Sequence, residues 1–259
     1  MMLLLQVIEY DLNMNLSLFI LRLKKIFHIL RSKYLFTAFF KYRVAPAIEH
    51  KSIFSIKYKT VVDIGSNNGQ FSLVTKYFLP NVKIFAFDPL KSSKQKYNNL
   101  FKKDKKINFF NVAIGSKIQK KNFFISNKDD SSSLLPIGLN QLKNYPNTFT
   151  KSQGITDVVP LSKVLNRYQI DNPALLKIDV QGYELEVLKG SKNLIKEFDY
   201  IYCECSFIEL YYRQPLVGEI INWLARNNFE MIEIKNISYD SKGNSIQADF
   251  FFKKIKKIN

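Results

Sequence analysis

The sequence has little of what a disulfide-stapled or histidine-driven protein needs. Its 259 residues include two cysteines and two histidines. Cys203 and Cys205 stand one residue apart in an apolar run, a spacing that closes no useful disulfide loop and is no zinc ligand set. A reducing compartment is expected. His28 and His50 both precede every motif that carries chemistry, which argues against a histidine-based triad. No uninterrupted apolar stretch reaches the roughly 18 residues of a membrane-spanning helix, and Glu9 and Asp11 spoil the start as a secretion signal. The expected location is cytoplasmic. Acidic residues are scarce too, 22 against 39 Lys and Arg, for a net charge of +17. A potential of that sign attracts phosphate, nucleic acid or an anionic membrane, and it equally suits a chain biased toward Lys, Asn, Ile and Phe.

What is present is enough for a core. Hydrophobic residues make up 46% and aromatic residues 14%, which dilutes the 24% of charged residues and excludes disorder for most of the chain. The length suits one large α/β domain with an appendage. The appendage is the N-terminal segment, residues 1–58, and the domain is residues 59–259. From Leu12 to Ile48 no acidic residue occurs, while Arg22, Lys24, Lys25, Arg31, Lys33, Lys41 and Arg43 supply positive charge. Leu16, Phe19, Ile20, Leu23, Ile26, Phe27, Leu30 and Tyr34 recur at helical spacing on one face. Such a basic amphipathic helix either rests on an anionic membrane or a partner, or packs its stripe on the domain with the Lys/Arg face solvated. In the first case the protein is peripheral to the inner face of the membrane.

After Pro46 short apolar runs alternate with helical stretches, as in βαβ units. Strands are expected near Thr60 to Ile64, Lys83 to Asp88, Ile107 to Ile114, Leu175 to Val180 and Tyr200 to Cys205. Helices fit over Gln70 to Leu79, Ser92 to Lys102, Tyr183 to Glu197 and Val217 to Asn227. Glu230 to Ile234 and Ala248 to Phe252 are joined by a turn-rich link, Tyr239 to Asn244, too short for a crossover helix, which predicts an antiparallel hairpin. An insertion over about 116–170 reads as a strand at Lys121 to Ser126, a polar loop from Asp129 to Tyr145 and a short helix from Leu161 to Tyr168. It is placed near the binding face, beyond the carboxyl ends of the strands.

The most informative string is T-V-V-D-I-G-S-N-N-G-Q-F-S, Thr60 to Ser72. A buried strand runs to Asp63, and Gly65 and Gly69 bracket a tight turn into a helix, where glycine allows a sharp bend and a ligand's close approach. The G-x-x-x-G spacing is neither the dinucleotide fingerprint nor a P-loop. Asp63 would repel a phosphate but suit a ligand carrying an ammonium and a sulfonium. At the end of the second strand, Asp88 in I-F-A-F-D-P can accept both hydroxyls of a ribose; a solvated strand-end aspartate before a turn is the alternative.

The chain continues with N-V-A-I-G, Asn111 to Gly115, and L-L-K-I-D-V-Q-G-Y-E-L-E-V-L-K-G, Leu175 to Gly190. With these strings the sequence resembles the FkbM-type S-adenosylmethionine-dependent methyltransferases from about Thr60 to Phe252, the last motif being the most specific. The resemblance does not cover the N-terminal helix. It implies a class I methyltransferase (Rossmann-like) α/β fold, a three-layer sandwich around a seven-stranded, mostly parallel sheet with the last strand antiparallel. It also implies that Asp63, Gly65, Asn67, Asn68 and Gly69 hold the methionine end of the cofactor, that Asp88 binds the ribose, and that Asn111 and Ala113 border the adenine. Ser66 stands where Ala is usual, Asp88 where Glu is common, and Gln181 replaces a Glu.

A sulfonium methyl is already electrophilic, so the protein must mainly align the reactants and exclude water. A sugar hydroxyl must also lose its proton. Asp179 is the first candidate for general base or orienter and Glu204 the second; the two instead suit a shared divalent cation. Asp179 has a structural alternative as a helix cap, and Glu204 as a buried partner of Lys177 or Arg213. Tyr183, Tyr211 and Tyr212 suit an aromatic floor for a sugar, or the core. The reading is therefore an O-methyltransferase acting on a saccharide or glycoconjugate hydroxyl, in a surface glycan or related metabolite. One alternative is a nucleic-acid methyltransferase, disfavoured because the fourth-strand motif lacks an N/D-P-P-Y/F signature. Another is a non-catalytic, membrane-associated module that retains cofactor binding.

Overall fold

The computed structural model describes residues 19–255. The start of the basic stretch, residues 12–18, lies outside them. Residues 19–31 are helical (α1), and Ser32 caps a second helix, α2 (Lys33–Tyr42), by accepting from the Leu35 amide. A 3₁₀ segment, Ile48–Ser55, leads into the sheet.

The main elements are β1 (Thr60–Ile64), α3 (Gln70–Phe78), β2 (Lys83–Phe87), α4 (Lys91–Phe101), β3 (Ile107–Phe110), then β4 (Ala113–Ile114), β5 (Gln119–Ser126), α5 (Leu139–Asn144) and β6 (Thr150–Val159). The chain closes with β7 (Ala174–Ile178), α6 (Glu184–Ser191), β8 (Tyr200–Ser206), α7 (Val217–Arg226), β9 (Phe229–Tyr239) and β10 (Ser245–Lys254). The seven-stranded sheet has the order β3-β2-β1-β7-β8-β10-β9. β10 runs antiparallel to both neighbours, and the expected hairpin is β9–β10. β1 and β7 are buried at every position, which is why T-V-V-D-I and A-L-L-K-I read as unbroken runs rather than alternations. Val61 and Leu175 pack on one face with residues of α2, α3 and α4, whereas Val62 and Leu176 pack on the other with α6 and α7. The result is the three-layer Rossmann-like sandwich of class I methyltransferases.

Four local expectations need correction. The run Ile107 to Ile114 is two strands: Asn111 donates to the Asp88 carbonyl at 2.8 Å, and the chain then leaves the main sheet to pair β4 with β6. Tyr183 to Glu197 is a helix only through Ser191, with a 3₁₀ turn at Ile195–Glu197. Leu161 to Tyr168 forms two 3₁₀ turns, and the loop from Asp129 to Tyr145 contains α5. The insertion builds a second sheet, β4-β6-β5.

For the N-terminal stripe, where two readings stood open, the described residues from Phe19 to Leu30 turn their apolar face away from the domain. Phe19, Ile20, Leu23, Ile26, Phe27 and Leu30 are exposed, while Ile29, Leu35 and Ala38 are buried. Lys25 pairs with Glu49 at 3.0 Å.

Candidate active site

The strand order reverses between β1 and β7, and at such a switch point the loops leaving the two strands diverge and open a crevice. A cavity of ≈ 400 Å³ lies there, walled by the carboxyl ends of β1, β2 and β7, by the insertion, and by Lys25, Glu49 and His50 from the N-terminal segment.

Gly65, Ser66 and Asn67 line it, but Asp63, Asn68 and Gly69 do not. Asp63 and Lys177 are register partners on β1 and β7, and both are buried. Lys177 Nζ lies 3.2 Å from Asp63 Oδ1, an ionic contact, and Ser72 donates to Asp63 Oδ2 at 2.7 Å. The same Nζ donates to the Gly65 carbonyl at 3.0 Å and lies 3.4 Å from Asp179 Oδ2. Burial opposes the Lys177 charge, but Asp63 and Asp179 outweigh it and hold the ammonium above its ordinary range. The Asp63 charge is thus matched inside the sheet. Gly65 has φ +79°, and a Cβ there would meet the Asp179 carbonyl oxygen at 1.7 Å. It is glycine because the end of β7 crosses it. Gly69 is buried under Tyr97 and Phe101 at the start of α3. Gly190 has a comparable reason: its Cβ would meet the Gly115 carbonyl oxygen at 2.2 Å, so two of the quoted motifs pack backbone to backbone.

Asp88 lines the cavity at the end of β2. Its Oδ2 accepts from the Asn67 amide at 2.9 Å and Oδ1 from the Leu90 amide at 2.8 Å, so the carboxylate ties the β1 loop to the β2 loop. Burial pushes its carboxyl up to about 6, against the pull of those two amides. Asn111 stands behind it as a strut, and Ala113 is on the cavity wall. The buried Ser66 Oγ and Asn68 Oδ1 have no hydrogen-bond partner among the described residues. The unpartnered Ser66 hydroxyl on the cavity wall, a carboxylate at the β2 end and an apolar wall at Ala113 and Ile114 fit a nucleoside carrying an amino-acid tail.

Asp179 is on the cavity wall and about a third exposed, whereas Glu204 does not line the cavity. Gln181 joins them: its Nε2 donates to Asp179 Oδ1 and to Glu204 Oε2, both at 2.9 Å, and its Oε1 accepts from the Tyr211 hydroxyl at 2.9 Å. The oxygens a shared cation would use thus each accept from one amide, and among the described residues no cluster of His, Cys, Asp and Glu is built to hold a metal. Glu204 pairs with Gln181 and, at 2.8 Å, Gln247, not with Lys177 or Arg213. Burial, then repulsion from Asp179, Asp249 and Glu184, raises its carboxyl well above the usual range. Asp179 is not a helix cap; Glu184 accepts from the Val180 and Gly182 amides at 3.2 and 2.9 Å instead. Of the three tyrosines, Tyr183 lines the cavity, Tyr211 braces Gln181, and Tyr212 is exposed.

His50 is the residue that sequence reasoning set aside and the fold brings in. The 3₁₀ segment packs on α3 and carries His50 to the cavity wall. Its Nδ1 lies 3.0 Å from the Tyr202 hydroxyl and 3.4 Å from Asp249 Oδ2. Asp249 in turn accepts from Tyr202 at 2.8 Å and Asn236 at 2.7 Å. No local motif signals this placement, since His50 and Tyr202 are 152 residues apart.

Sheet order, the single antiparallel strand and a nucleoside-type crevice at the β1/β7 switch define a class I S-adenosylmethionine-dependent methyltransferase. Residues 63–231 match the methyltransferase FkbM domain, and the chain belongs to that family. It is 24% identical over 193 residues to the 2-O-methyltransferase NoeI of Sinorhizobium fredii, covering 71% of this chain and 78% of that protein. Among solved structures it is similar to 1,6-didemethyltoxoflavin-N1-methyltransferase of Burkholderia thailandensis, with 11% identity, 90% of each chain covered and a TM-score of 0.47. A ribosomal-RNA methylase-like structure from Clostridium thermocellum gives 10% identity, 80% and 93% coverage and a TM-score of 0.47.

Proposed function

We propose that this methyltransferase transfers a methyl group to a hydroxyl of a saccharide or glycoconjugate, with residues 59–259 as the methyltransferase domain and the N-terminal segment, residues 1–58, adding His50 to its cavity. The observation that carries the reading is the polar lining that the insertion and the β7 end give the cavity, with Asp129, Asp130, Ser132 and Ser133 from the first and Asp179, Gln181 and Tyr183 from the second. Hydroxyls, carboxylates, an amide and one aromatic ring suit a polyhydroxylated acceptor. Two aspartates at this wall disfavour a phosphate backbone, despite the net charge of +17. The name of the relative from Sinorhizobium fredii, a 2-O-methyltransferase, supports oxygen as the methyl acceptor.

Gly65, Ser66, Asn67, Asp88 and Ala113 are the wall residues assigned to S-adenosylmethionine, with Asp63, Asn68, Gly69 and Asn111 holding their loops in place. Bound there, the cofactor supplies a methyl carbon already activated by its sulfonium. The chain's own task is alignment and proton removal. Asp179, whose charge is shared with Lys177 and the Gln181 amide, is suited to accept the acceptor's hydroxyl hydrogen bond and orient it. His50 is the better proton acceptor: Nδ1 is engaged by Tyr202 and Asp249, and Nε2 has no partner among the described residues. Glu204 holds Gln181.

Calorimetric titration of S-adenosylhomocysteine into wild type and Asp88→Ala tests the cofactor site, with binding expected for the first and lost in the second. A screen of sugar nucleotides and oligosaccharides with labelled methyl donor then tests the acceptor. Transfer to RNA and not to any saccharide would overturn the reading.

A further inference from the structure

Among the described residues, the N-terminal helices present to solvent the face that an amphipathic helix ordinarily buries. Phe19, Ile20, Leu23, Ile26, Phe27 and Leu30 follow the spacing i, i+1, i+4, i+7, i+8, i+11 and are 41–67% exposed. α2 adds Phe36, Phe39 and Phe40 at 37–50%. The opposite side of α1 is already used, with Ile29 buried and Lys25 bound to Glu49. Basic residues flank the apolar face, the Arg31 guanidinium lies 4.9 Å from the Phe27 ring centroid, and no acidic residue occurs from Leu12 to Ile48.

We propose that α1 and α2 together dock the protein on an anionic lipid bilayer, apolar face in the acyl boundary and Lys/Arg side chains among the headgroups. Three features select this occupant. A broad apolar face rimmed by cations alone matches an interface whose interior is hydrocarbon and whose surface is negative. A second copy of the chain would bring the same basic rim against itself with no acid on that face to pair it. A groove that swallows a helix needs the helix free on most sides, whereas α1 is held along its inner side by the domain through Ile29 and Lys25. Nucleic acid would use the cations and leave nine large apolar side chains in water. The inference is independent of which acceptor is methylated.

Flotation of the full chain with vesicles of roughly one-third phosphatidylglycerol in phosphatidylcholine, against phosphatidylcholine alone, tests it. Binding is expected on the anionic vesicles, and it should weaken between ~0.1 M and ~1 M salt as the screening length falls from ~10 to ~3 Å. Each Lys or Arg near an anionic leaflet is worth about fivefold in partitioning, so Arg22→Gln/Lys24→Gln/Arg31→Gln should lose about a hundredfold. Leu23→Ser/Phe27→Ser/Leu30→Ser should abolish flotation. Both triple variants alter exposed side chains, and unchanged melting and S-adenosylhomocysteine affinity would show that they fold. The proposal is overturned by no flotation of wild type, by equal binding to neutral vesicles, or by a lipid-free dimer that the serine variant dissociates. It is also overturned if RNA binding is the only property the variants lose.

Discussion

Removing the Lys177 charge should damage the fold more than removing the Asp63 charge, although the two face each other across β1 and β7. In Lys177→Met, Asp63 keeps one hydroxyl donor, Ser72, and is left as a fully buried carboxylate without a cation. In Asp63→Asn, Lys177 keeps Asp179 at 3.4 Å and the Gly65 carbonyl at 3.0 Å. Breaking a buried pair by deleting one partner costs about 3–5 kcal/mol; Lys177→Met belongs in that range, and Asp63→Asn at about 2 kcal/mol because its stranded partner still has company. For a chain of this size about 4 kcal/mol corresponds to a drop in Tm of roughly 10 °C. The double variant should recover part of the loss, with a coupling of about 2 kcal/mol in a urea-denaturation cycle. The Lys177 pKa is raised by folding, so its contribution is complete below the ordinary lysine range and fades only as pH rises above it. The difference should therefore be flat from about pH 6 to 9. Asp63→Asn should also leave S-adenosylhomocysteine affinity within about threefold, since Asp63 is off the cavity wall. The reasoning is refuted if Lys177→Met unfolds like wild type, or if Asp63→Asn loses cofactor affinity with its stability intact.

With its carboxyl raised to about 6, Asp88 should be mostly protonated at about pH 5, and S-adenosylhomocysteine affinity should fall about tenfold from about pH 7 to that point; Asp88→Asn should bind weakly with a flat profile in the same titration. Glu184, raised to about 7 by burial, binds protons more readily folded than unfolded, so stability from this group falls as pH rises from about 4.5 to 7. Urea denaturation across that window should show a smaller fall for Glu184→Gln. Gln181→Glu replaces the shared donor with a third carboxylate between Asp179 and Glu204, and thermal unfolding should show a destabilisation of about 2–3 kcal/mol at alkaline pH that shrinks on acidification. In His50→Asn, methyl transfer should drop by about 10²-fold or more while S-adenosylhomocysteine binding persists.

The parallel half of the fold was legible because its strands are buried on both faces and its turns carry glycine where the backbone crowds. The terminal hairpin was legible because its link is too short for anything else. β6 was not: of T-K-S-Q-G-I-T-D-V-V only Val158 is buried, so the strand leaves almost no apolar trace and owes its place to pairing with β5. The periodicity of α1 was readable from its spacing, but its orientation was not. A stripe at period 3.6 says that one side is apolar without saying which side meets the domain, and here the domain takes Ile29 and Lys25 from the other side.

The site shows the same division between composition and register. Asp63 and Lys177 each occupy the fourth position of a five-residue buried strand, and once β1 and β7 are aligned end to end the two charges must meet. The alignment is the register of the parallel pair, which sets Thr60 against Ala174 and Ile64 against Ile178. An acid read alone at the end of β1 looks like a ligand group; read with its register partner it is half of a buried ion pair. That pair reaches the cavity through the Lys177 ammonium, which touches both the Gly65 carbonyl and Asp179. Lys177 therefore couples the proposed cofactor loop to the proposed acceptor-orienting carboxylate, and its replacement should disturb both ends of the site even though neither β1 nor β7 changes course.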